Sequence, residues 1–273
     1  MSAVTAQQEQ SERVDEVRFE RRGRVAYVTI DRQHVLNAVD DATSRRCTEI
    51  WDEIERDPGV HAVVVTGAGE RAFCTGADMS AGGTGKNGID YWADLDPNGF
   101  AGLSLRRTLD VPVIARVNGY AFGGGMEIVL GADIVVASST AQFGLTEPRV
   151  GRLPLDGGIV KLVRRIPHTR AMSILLTGRR VRAEEMRDLG LVNEVVAPEE
   201  LDAAVDRWLD DVLACAPTSL RAIKQIVNRT DHLTDRDARA QRLPALMECL
   251  TSPNATEGVQ AFREKRAPVW SDR

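Results

Sequence analysis

Short apolar runs rich in β-branched residues alternate with helical patterns over the first two thirds of the chain. The runs are VRFERRGRVAYVTIDR (17–32), which holds two strands around a turn at Arg22-Gly23, then HAVVVTG (61–67), VPVIARVNG (111–119) and ADIVVASS (132–139). Their length and bounding turn residues are typical of buried strands. Between the first two runs, Cys47, Ile50, Trp51 and Ile54 form one apolar stripe at helical spacing. This order of strands and helices predicts an α/β layered domain.

The pattern changes after about residue 196, where only helical periodicity remains. One stripe consists of Leu201, Val205, Trp208, Leu209 and Val212, and a second of Leu220, Ile223, Ile226 and Val227. A helical unit of roughly 75 residues has too little interior to rely on its own core. We therefore expect it to pack on the first domain or on another subunit. The chain divides into a flexible N-terminal segment (1–15), an α/β core (16–195) and a C-terminal helical region (196–273).

Composition excludes several classes of protein. The chain has 273 residues and a formal charge of −5, with Lys and Arg scattered among Asp and Glu, which argues against a nucleic-acid partner. Apolar runs stay well short of the roughly 18 residues that span a bilayer, and the polar, acidic N-terminal sequence does not resemble a signal peptide. The four cysteines are far apart and form no CxxC pair, so no metal site is predicted. We expect a cytoplasmic protein without membrane contact.

Two glycine-rich stretches mimic nucleotide sites without meeting their requirements. GAGERA (67–72) fits GxGxxA, but the sequence after it, FCTGADM, is not the amphipathic helix that a dinucleotide fingerprint needs. In GGTGKNG (82–88), a phosphate-binding loop would need glycine in place of Ser80 and Ser or Thr in place of Asn87. The sequence also lacks a GxSxG elbow and an HExxH motif. It therefore lacks the catalytic motifs that would indicate a hydrolase or a metalloprotease.

The stretch GYAFGGGMEIVLGAD (119–133) is harder to explain by local propensity. It places three glycines at the start of an apolar helix and one carboxylate, Glu127, among apolar residues. The first N–H groups of a helix lack intrahelical partners, and glycines there let a ligand oxygen approach the backbone. This arrangement is half of an oxyanion hole. The alternative is that the glycines allow close packing of helix on strand while Glu127 caps the first turn.

Two further stretches supply the other parts of such a site. RAFCTGADMS (71–80) puts a glycine turn after a strand, so the Ala77 N–H would face the Gly124 N–H, unless the stretch is only a turn. AQFGLTEPRVGRLP (141–154) supplies a second isolated carboxylate, Glu147, which Pro148 biases towards extended backbone. The alternative for Glu147 is a solvated loop acid. Together these groups would stabilise an enolate and move protons with two carboxylates.

Three more stretches complete an ordered set of motifs, namely VTIDRQHVLNAVD (28–40), LTGRRVRAEEMRDLGLVNEVV (176–196) and EGVQAFREKRAPVW (257–270). In combination, the set resembles the enoyl-CoA hydratase/isomerase (crotonase) superfamily over residues 16–270. DPNGFAGL (96–103), NGYAFGGG and EKRAPVW are most similar to its carnitinyl-CoA (crotonobetainyl-CoA) hydratase branch. The resemblance implies a crotonase (ClpP-like) spiral of ββα units, whose C-terminal helices form trimers that pair into hexamers.

The resemblance also implies roles for individual residues. The Ala77 and Gly124 N–H groups would bind the thioester oxygen of an acyl-CoA, while Glu127 and Glu147 carry the proton transfers as water adds reversibly across the α,β double bond. No metal or redox cofactor is needed, because CoA is part of the substrate. The implied contacts to CoA and substrate are Arg32, Val35, Leu36, Ala72, Thr75, Gly76, Asp78, Met79, Gly123, Pro154, Leu155, Phe262 and Lys265. Phe262 and Lys265 would reach the nucleotide of this chain or of a neighbouring subunit, unless Lys265 is an ordinary surface lysine.

One stretch departs from the family pattern. The chain has PLDGG (154–158) where Pro-Gly-x-Gly-Gly is common in hydratases. Asp156 would suit a polar or cationic acyl tail, or else it caps the following helix. The alternatives to an enoyl-CoA hydratase are therefore a carnitinyl-CoA (crotonobetainyl-CoA) dehydratase and a crotonase-fold acyl-CoA binder or isomerase.

The loop from Ser80 to Gly99 is rich in glycine and has no apolar period. Such loops often close over a bound substrate. We expect a mobile lid over the acyl pocket, anchored by Tyr91, Trp92 and Phe100.

Overall fold

Two β-sheets contain the strands of the protein. The computed structural model describes residues 16–79 and 88–272. The strands are β1 (Val17–Arg22), β2 (Val25–Ile30), β3 (Ala62–Gly67), β4 (Ala72–Cys74), β5 (Val113–Val117), β6 (Tyr120–Phe122), β7 (Ile134–Ser138), β8 (Gln142–Gly144), β9 (Val181–Arg182) and β10 (Glu194–Val196). The larger sheet has the order β1-β2-β3-β5-β7-β10, and the smaller one has the order β4-β6-β8-β9.

The chain alternates between the two sheets as it proceeds. β3, β5 and β7 enter the large sheet, and each is followed at once by a short strand of the small sheet, β4, β6 and β8. Pairing is parallel throughout, except for β1 with β2 and β8 with β9. A parallel pair needs a crossover connection, so each turn of the chain adds one strand to the large sheet and one to the small sheet. The structure therefore has the predicted spiral.

The helices cover the sheets or follow them. They are α1 (Asp41–Arg56), α2 (Gly88–Ala93), α3 (Gly124–Gly131), α4 (Gly158–Arg165), α5 (His168–Thr177), α6 (Ala183–Asp188), α7 (Leu201–Leu213), α8 (Pro217–Thr230), α9 (Asp235–Ala240), α10 (Pro244–Thr251) and α11 (Asn254–Glu264). α1 begins where the Asp40 carboxylate accepts a hydrogen bond from the Thr43 N–H at 2.8 Å. Its predicted apolar stripe is buried.

Strand β3 shows how one sheet supports two cores. Side chains alternate between the faces of a strand, and Val63 and Val65 join the main core, which lies against α1 and α3. Ala62 and Val64 point to the opposite face, where they pack with α7 through residues such as Leu201 and Val205. The apolar run in the sequence is continuous because both faces of this strand are covered. Most of the stripe predicted for α7 therefore packs on the sheet.

The second C-terminal stripe behaves differently. In α8, Ile223 is 59% exposed and Val227 is 62% exposed, whereas the buried positions are Pro217, Thr218, Ala222, Gln225 and Thr230. The predicted helix is confirmed, but its apolar stripe is only partly covered: Leu220 packs against the second core and Ile226 is half-buried, whereas Ile223 and Val227 stay exposed. The division of the chain at residues 15 and 195 stays a prediction, and segment 1–15 lies outside the described residues.

Candidate active site

The first turn of α3 leaves backbone donors open to a ligand. Its first intrahelical hydrogen bond runs from the Glu127 N–H to the Gly123 carbonyl at 3.1 Å, so the Gly124 N–H has no partner inside the helix. Gly123, just before the helix, has a φ of 54° and donates its own N–H to the Gly144 carbonyl at 2.9 Å. The sequence prediction for the Gly124 N–H thus has a structural basis.

The second predicted donor belongs to Ala77, beside a short parallel bridge to Val39. The bridge uses the Gly76 carbonyl, which accepts from the Val39 N–H, and the Asp78 N–H, which donates to the Val39 carbonyl, each at 2.9 Å. The Ala77 N–H lies between these two groups in the chain and takes no part in the bridge. Gly76 adjoins α3 so closely that a Cβ on it would lie 3.1 Å from the Gly124 nitrogen, and its φ is +94°.

The glycines at the start of α3 also serve packing, as the alternative explanation proposed. A Cβ on Gly125 would lie 1.9 Å from the Cys74 carbonyl oxygen, so only glycine lets α3 rest on β4. Packing therefore accounts for Gly125. Packing does not account for the Gly124 N–H. The packing explanation therefore applies to Gly125, and the oxyanion-hole explanation applies to Gly124.

Glu127 is held by a different helix from its own. Its Oε1 accepts a hydrogen bond from the Gly158 N–H at 2.8 Å, at the start of α4. The residue is 2% exposed. Burial, followed by the negative charge of Asp156, raises the pKa of Glu127 to about 8. At neutral pH this carboxyl group is therefore a proton donor held in place by a backbone N–H.

Glu147 lies beside Gly123, at the start of the same helix. It begins a short 3₁₀ helix, Glu147–Val150, and its Oε1 would lie 3.2 Å from a Cβ built on Gly123. Its Oε2 is buried and accepts no hydrogen bond from the described residues. Burial, followed by the charge of Asp156, raises the pKa of Glu147. A solvated loop acid would keep its ordinary pKa, so that alternative does not fit.

A third carboxylate, Asp156, completes the group. It is 5% exposed, it accepts a hydrogen bond from the Tyr91 hydroxyl, and burial raises its pKa. The cap of α4 is Gly157, which has no side-chain capping bond, so the helix-cap alternative for Asp156 is wrong. The Tyr91 pKa is raised by burial and by the charges of all three acids. The Tyr91–Asp156 contact joins positions 65 residues apart, and no local pattern signals it.

Arg32 lies inside the protein rather than on a nucleotide-binding surface. Its guanidinium forms ion pairs with Asp78 at 2.9 Å, Asp40 at 3.1 Å and Glu16 at 3.2 Å. The side chains of Arg32 and Asp78 are buried. A side-chain contact from Arg32 to CoA would disrupt these pairs, so the structure gives this side chain a role in holding the loop. Any contact to CoA would come from its backbone.

Most of the other predicted contact residues lie around this loop. Thr75 donates its hydroxyl to the Leu36 carbonyl at 3.2 Å, which joins the Val35–Leu36 turn to the Gly76–Met79 segment. Sequence reasoning missed Asn37, whose Nδ2 donates to the Ala68 and Ala72 carbonyls at 3.0 and 2.8 Å. The only signal for Asn37 was an amide in an otherwise apolar stretch, LNAV.

The remaining predicted residues differ in accessibility. Ala72 and Pro154 are buried, Leu155 is half-buried and Met79 is exposed. Phe262 is 86% exposed, and Lys265 follows the last turn of α11. α11 packs against α10 and the Trp270 ring, so the contact of Phe262 and Lys265 with a nucleotide stays a prediction.

The predicted lid is described only in part. Residues 80–87 lie outside the described residues. Tyr91 bonds to Asp156, and the Phe100 ring would lie 2.5 Å from a Cβ on Gly124, so both line the site. Trp92 is 65% exposed and does not pack as an anchor against the residues that the structure describes.

The described residues contain no group of three or more His, Cys, Asp or Glu side chains that could hold a metal ion. No helix among them is long and apolar enough to cross a membrane.

Comparison with known proteins agrees with the fold. The model of the family described as enoyl-CoA hydratase/isomerase matches residues 20–273. Carnitinyl-CoA dehydratase from Proteus mirabilis (strain HI4320) is 38% identical over 256 residues, covering 92% of this chain and 97% of its own. The relative of that name from Citrobacter koseri is 37% identical over 263 residues, covering 95% and 99%.

Solved structures have the same fold. The enoyl-CoA hydratase from Mycobacterium tuberculosis H37Rv matches with a TM-score of 0.84 at 32% identity, and carnitinyl-CoA hydratase from Mycobacterium avium with 0.71 at 36%. Each match covers 94% of this chain and 99% of the other. The chain belongs to the enoyl-CoA hydratase/isomerase family, which confirms the resemblance and the crotonase fold inferred from the sequence.

Proposed function

We propose that the protein catalyses the reversible addition of water across the α,β double bond of an enoyl-CoA thioester. The observation that carries this proposal is the meeting of Glu127 and Glu147 at the helix N-terminus that presents the Gly124 N–H. The family and the names of the relatives support it.

The backbone donors act on the thioester oxygen. Negative charge moves onto that oxygen as the enolate forms, and the N–H groups of Ala77 and Gly124 are fixed before the reaction begins. A donor of this kind contributes about 3 kcal/mol to the transition state. Side-chain substitution cannot remove these donors, because they belong to the backbone.

The carboxyl groups of Glu127 and Glu147 carry the protons. In the dehydration direction, an ionised carboxylate accepts the α-proton while a protonated carboxyl group gives its proton to the departing β-hydroxyl, which leaves as water. Burial raises the pKa of both residues, that of Glu127 to about 8, so Glu127 can hold a proton near neutral pH. This chemistry requires no metal or redox cofactor, since CoA is part of the substrate.

The proposal also concerns the identity of the acyl group on the substrate. Curated relatives over nearly the whole chain are named carnitinyl-CoA dehydratase, which supports a carnitinyl or crotonobetainyl group as an alternative to a simple enoyl chain. A binder with a degenerate site, or an isomerase, is the remaining alternative. The presence of both glutamates in one buried site argues against it.

A spectrophotometric assay with crotonyl-CoA and crotonobetainyl-CoA tests the function directly. We expect the conjugated thioester absorbance to fall with at least one of them, and to stay constant with the Glu127→Gln/Glu147→Gln double variant. Tight binding of both thioesters without hydration would identify a binder instead. A shift of the double bond without uptake of water would identify an isomerase.

We also propose a homo-oligomer, a trimer or a pair of trimers, working in the cytoplasm. The support is the exposed apolar surface of the C-terminal helices, which includes Ile223, Val227, Met247, Leu250, Val259 and Phe262. Sedimentation should show three or six copies. A monomer at all concentrations would contradict the proposal.

A further inference from the structure

Asp156 and Tyr91 form a polar and aromatic corner beside the two glutamates. The Tyr91 hydroxyl donates to the Asp156 carboxylate, and the Ser104 hydroxyl donates to the Asp156 carbonyl at 2.6 Å. Ser104 also accepts from the Phe100 N–H at 2.7 Å, and the Phe100 ring lies over Gly124. Two aromatic residues and one carboxylate are thus tied together next to the proposed reaction centre.

The negative charge of this corner has no cationic partner within the part of the chain that the structure describes. No Lys, Arg or His nitrogen there lies within 4.0 Å of the carboxylates of Glu127, Glu147 or Asp156. On α4, which follows Asp156, the basic groups turn away, since Lys161 and Arg165 donate to the Leu130 carbonyl at 3.4 and 3.2 Å. Buried carboxylates normally have a charged or hydrogen-bonding partner.

We propose that Asp156 and the rings of Tyr91 and Phe100 bind a quaternary ammonium group on the acyl chain and so select cationic substrates. The inference rests on the proposed function. A quaternary ammonium has no N–H to donate, so proteins recognise it by aromatic faces and nearby negative charge. In a carnitinyl group the nitrogen lies two bonds beyond the carbon that carries the hydroxyl. Gly158, two residues after Asp156, donates its N–H to Glu127, so a headgroup two bonds from the reacting carbon would be held near Asp156.

A matched pair of substrates tests this proposal. One is carnitinyl-CoA, and the other is its carbon isostere, with a tert-butyl group in place of the trimethylammonium group. The two have nearly the same shape and differ by one charge. We expect the wild-type protein to dehydrate the cationic substrate with a kcat/KM at least tenfold higher. We expect Asp156→Asn to reduce that ratio at least tenfold, mainly through the KM of the cationic substrate.

The ratio separates selectivity from general damage to the site. Asp156 also influences the pKa of Glu127, but that effect is common to both substrates and cancels in the ratio. Tyr91→Leu, which removes the ring, should also lower the ratio, and it tests the proposal if Asp156→Asn fails to fold. Glu199→Gln is the control, because Glu199 is an exposed carboxylate whose charge is not among those that act on Asp156.

Several outcomes would overturn the inference. One is a wild-type ratio near one, and another is an equal loss of both activities in Asp156→Asn, which would make Asp156 part of the proton chemistry. If Tyr91→Leu left the ratio unchanged, the Tyr91 ring would have no role in selecting the cationic substrate. If the wild-type protein dehydrates neither substrate and hydrates neither crotonyl-CoA nor crotonobetainyl-CoA, the proposed function fails. Turnover of the neutral isostere with no cationic preference rejects only the selectivity.

Discussion

Among the described residues, two groups of buried and half-buried carboxylates differ in whether a cation balances their charge. Around Arg32, the acids Asp78, Asp40 and Glu16 share one guanidinium. Around the start of α3, burial raises the pKa of Glu127, Glu147 and Asp156, and no Lys, Arg or His pairs with them among the residues the structure describes. The first arrangement fixes a loop. The second leaves charge and protons available to a substrate.

The difference has a physical basis. A buried ion pair roughly repays the cost of removing its charges from water, and removing one partner is then strongly unfavourable. A buried carboxylate without a counter-ion can avoid the cost by keeping its proton, as Glu127 does with its pKa of about 8. Carboxyl groups of that kind can donate a proton near neutral pH, and this is the property that proton transfer in the proposed reaction requires.

The largest expected effect is on folding, at the Arg32 group. Arg32→Met should lower the free energy of unfolding by about 3–5 kcal/mol, because three acids lose a buried counter-ion. Urea denaturation measures the loss, with Arg46→Met as the control. Arg46 pairs with Glu49 at the surface, so its removal should cost no more than about 1 kcal/mol. Equal losses of unfolding free energy in the two variants would show that the ion pairs of Arg32 stabilise the fold no more than a surface pair does.

The second prediction concerns the stability of the uncompensated group as a function of pH. Glu127 has a folded pKa of about 8 against an ordinary value of 4.5. Between these values the folded protein holds a proton that the unfolded chain releases, so stability falls as pH rises. Glu127→Gln cannot titrate, and wild type should lose roughly 3 kcal/mol relative to it between pH 5 and pH 8. Denaturation of both proteins at the two pH values measures this. A constant difference would mean that Glu127 is ionised in the folded state.

The third prediction separates catalysis from folding. Glu127→Gln and Glu147→Gln should each lower kcat by about 10²-fold or more, the scale of a positioned acid or base, and should change KM far less. The exposed Glu199 provides the control, since Glu199→Gln removes a carboxylate from the surface. If either buried variant keeps near-native turnover on the true substrate, the two-carboxylate mechanism is wrong.

The sequence predicted the parts of the molecule whose pattern is local. The runs around β3, β5 and β7 and the stripe of α1 were visible, because burial on a strand or helix face repeats every few residues. The three glycines before Glu127 were visible because they are consecutive in the sequence.

Contacts set by topology were not predictable in this way. The ion pair of Arg32 with Asp78 was hidden because Asp78 lies 46 residues away and approaches only when β4 enters the second sheet. The Tyr91–Asp156 contact is hidden for the same reason. The exposed side of α8, with Ile223 and Val227, has the period of a buried helix face, and periodicity alone cannot tell whether the covering partner belongs to the same chain.

The smallest expected effect comes from reducing the Arg32 group without removing its cation. Asp40→Asn loses the Oδ2 charge that pairs with Arg32 at 3.1 Å, but its Oδ1 can still accept the capping bond from the Thr43 N–H. Asn caps helices about as well as Asp does, and Arg32 keeps Asp78 and Glu16. We therefore expect a loss of only about 1 kcal/mol in the free energy of unfolding, with kcat unchanged. Urea denaturation beside Arg32→Met measures the contrast. A loss as large as that of Arg32→Met would mean that the guanidinium depends on all three acids together, and the network would then act as a single cooperative unit.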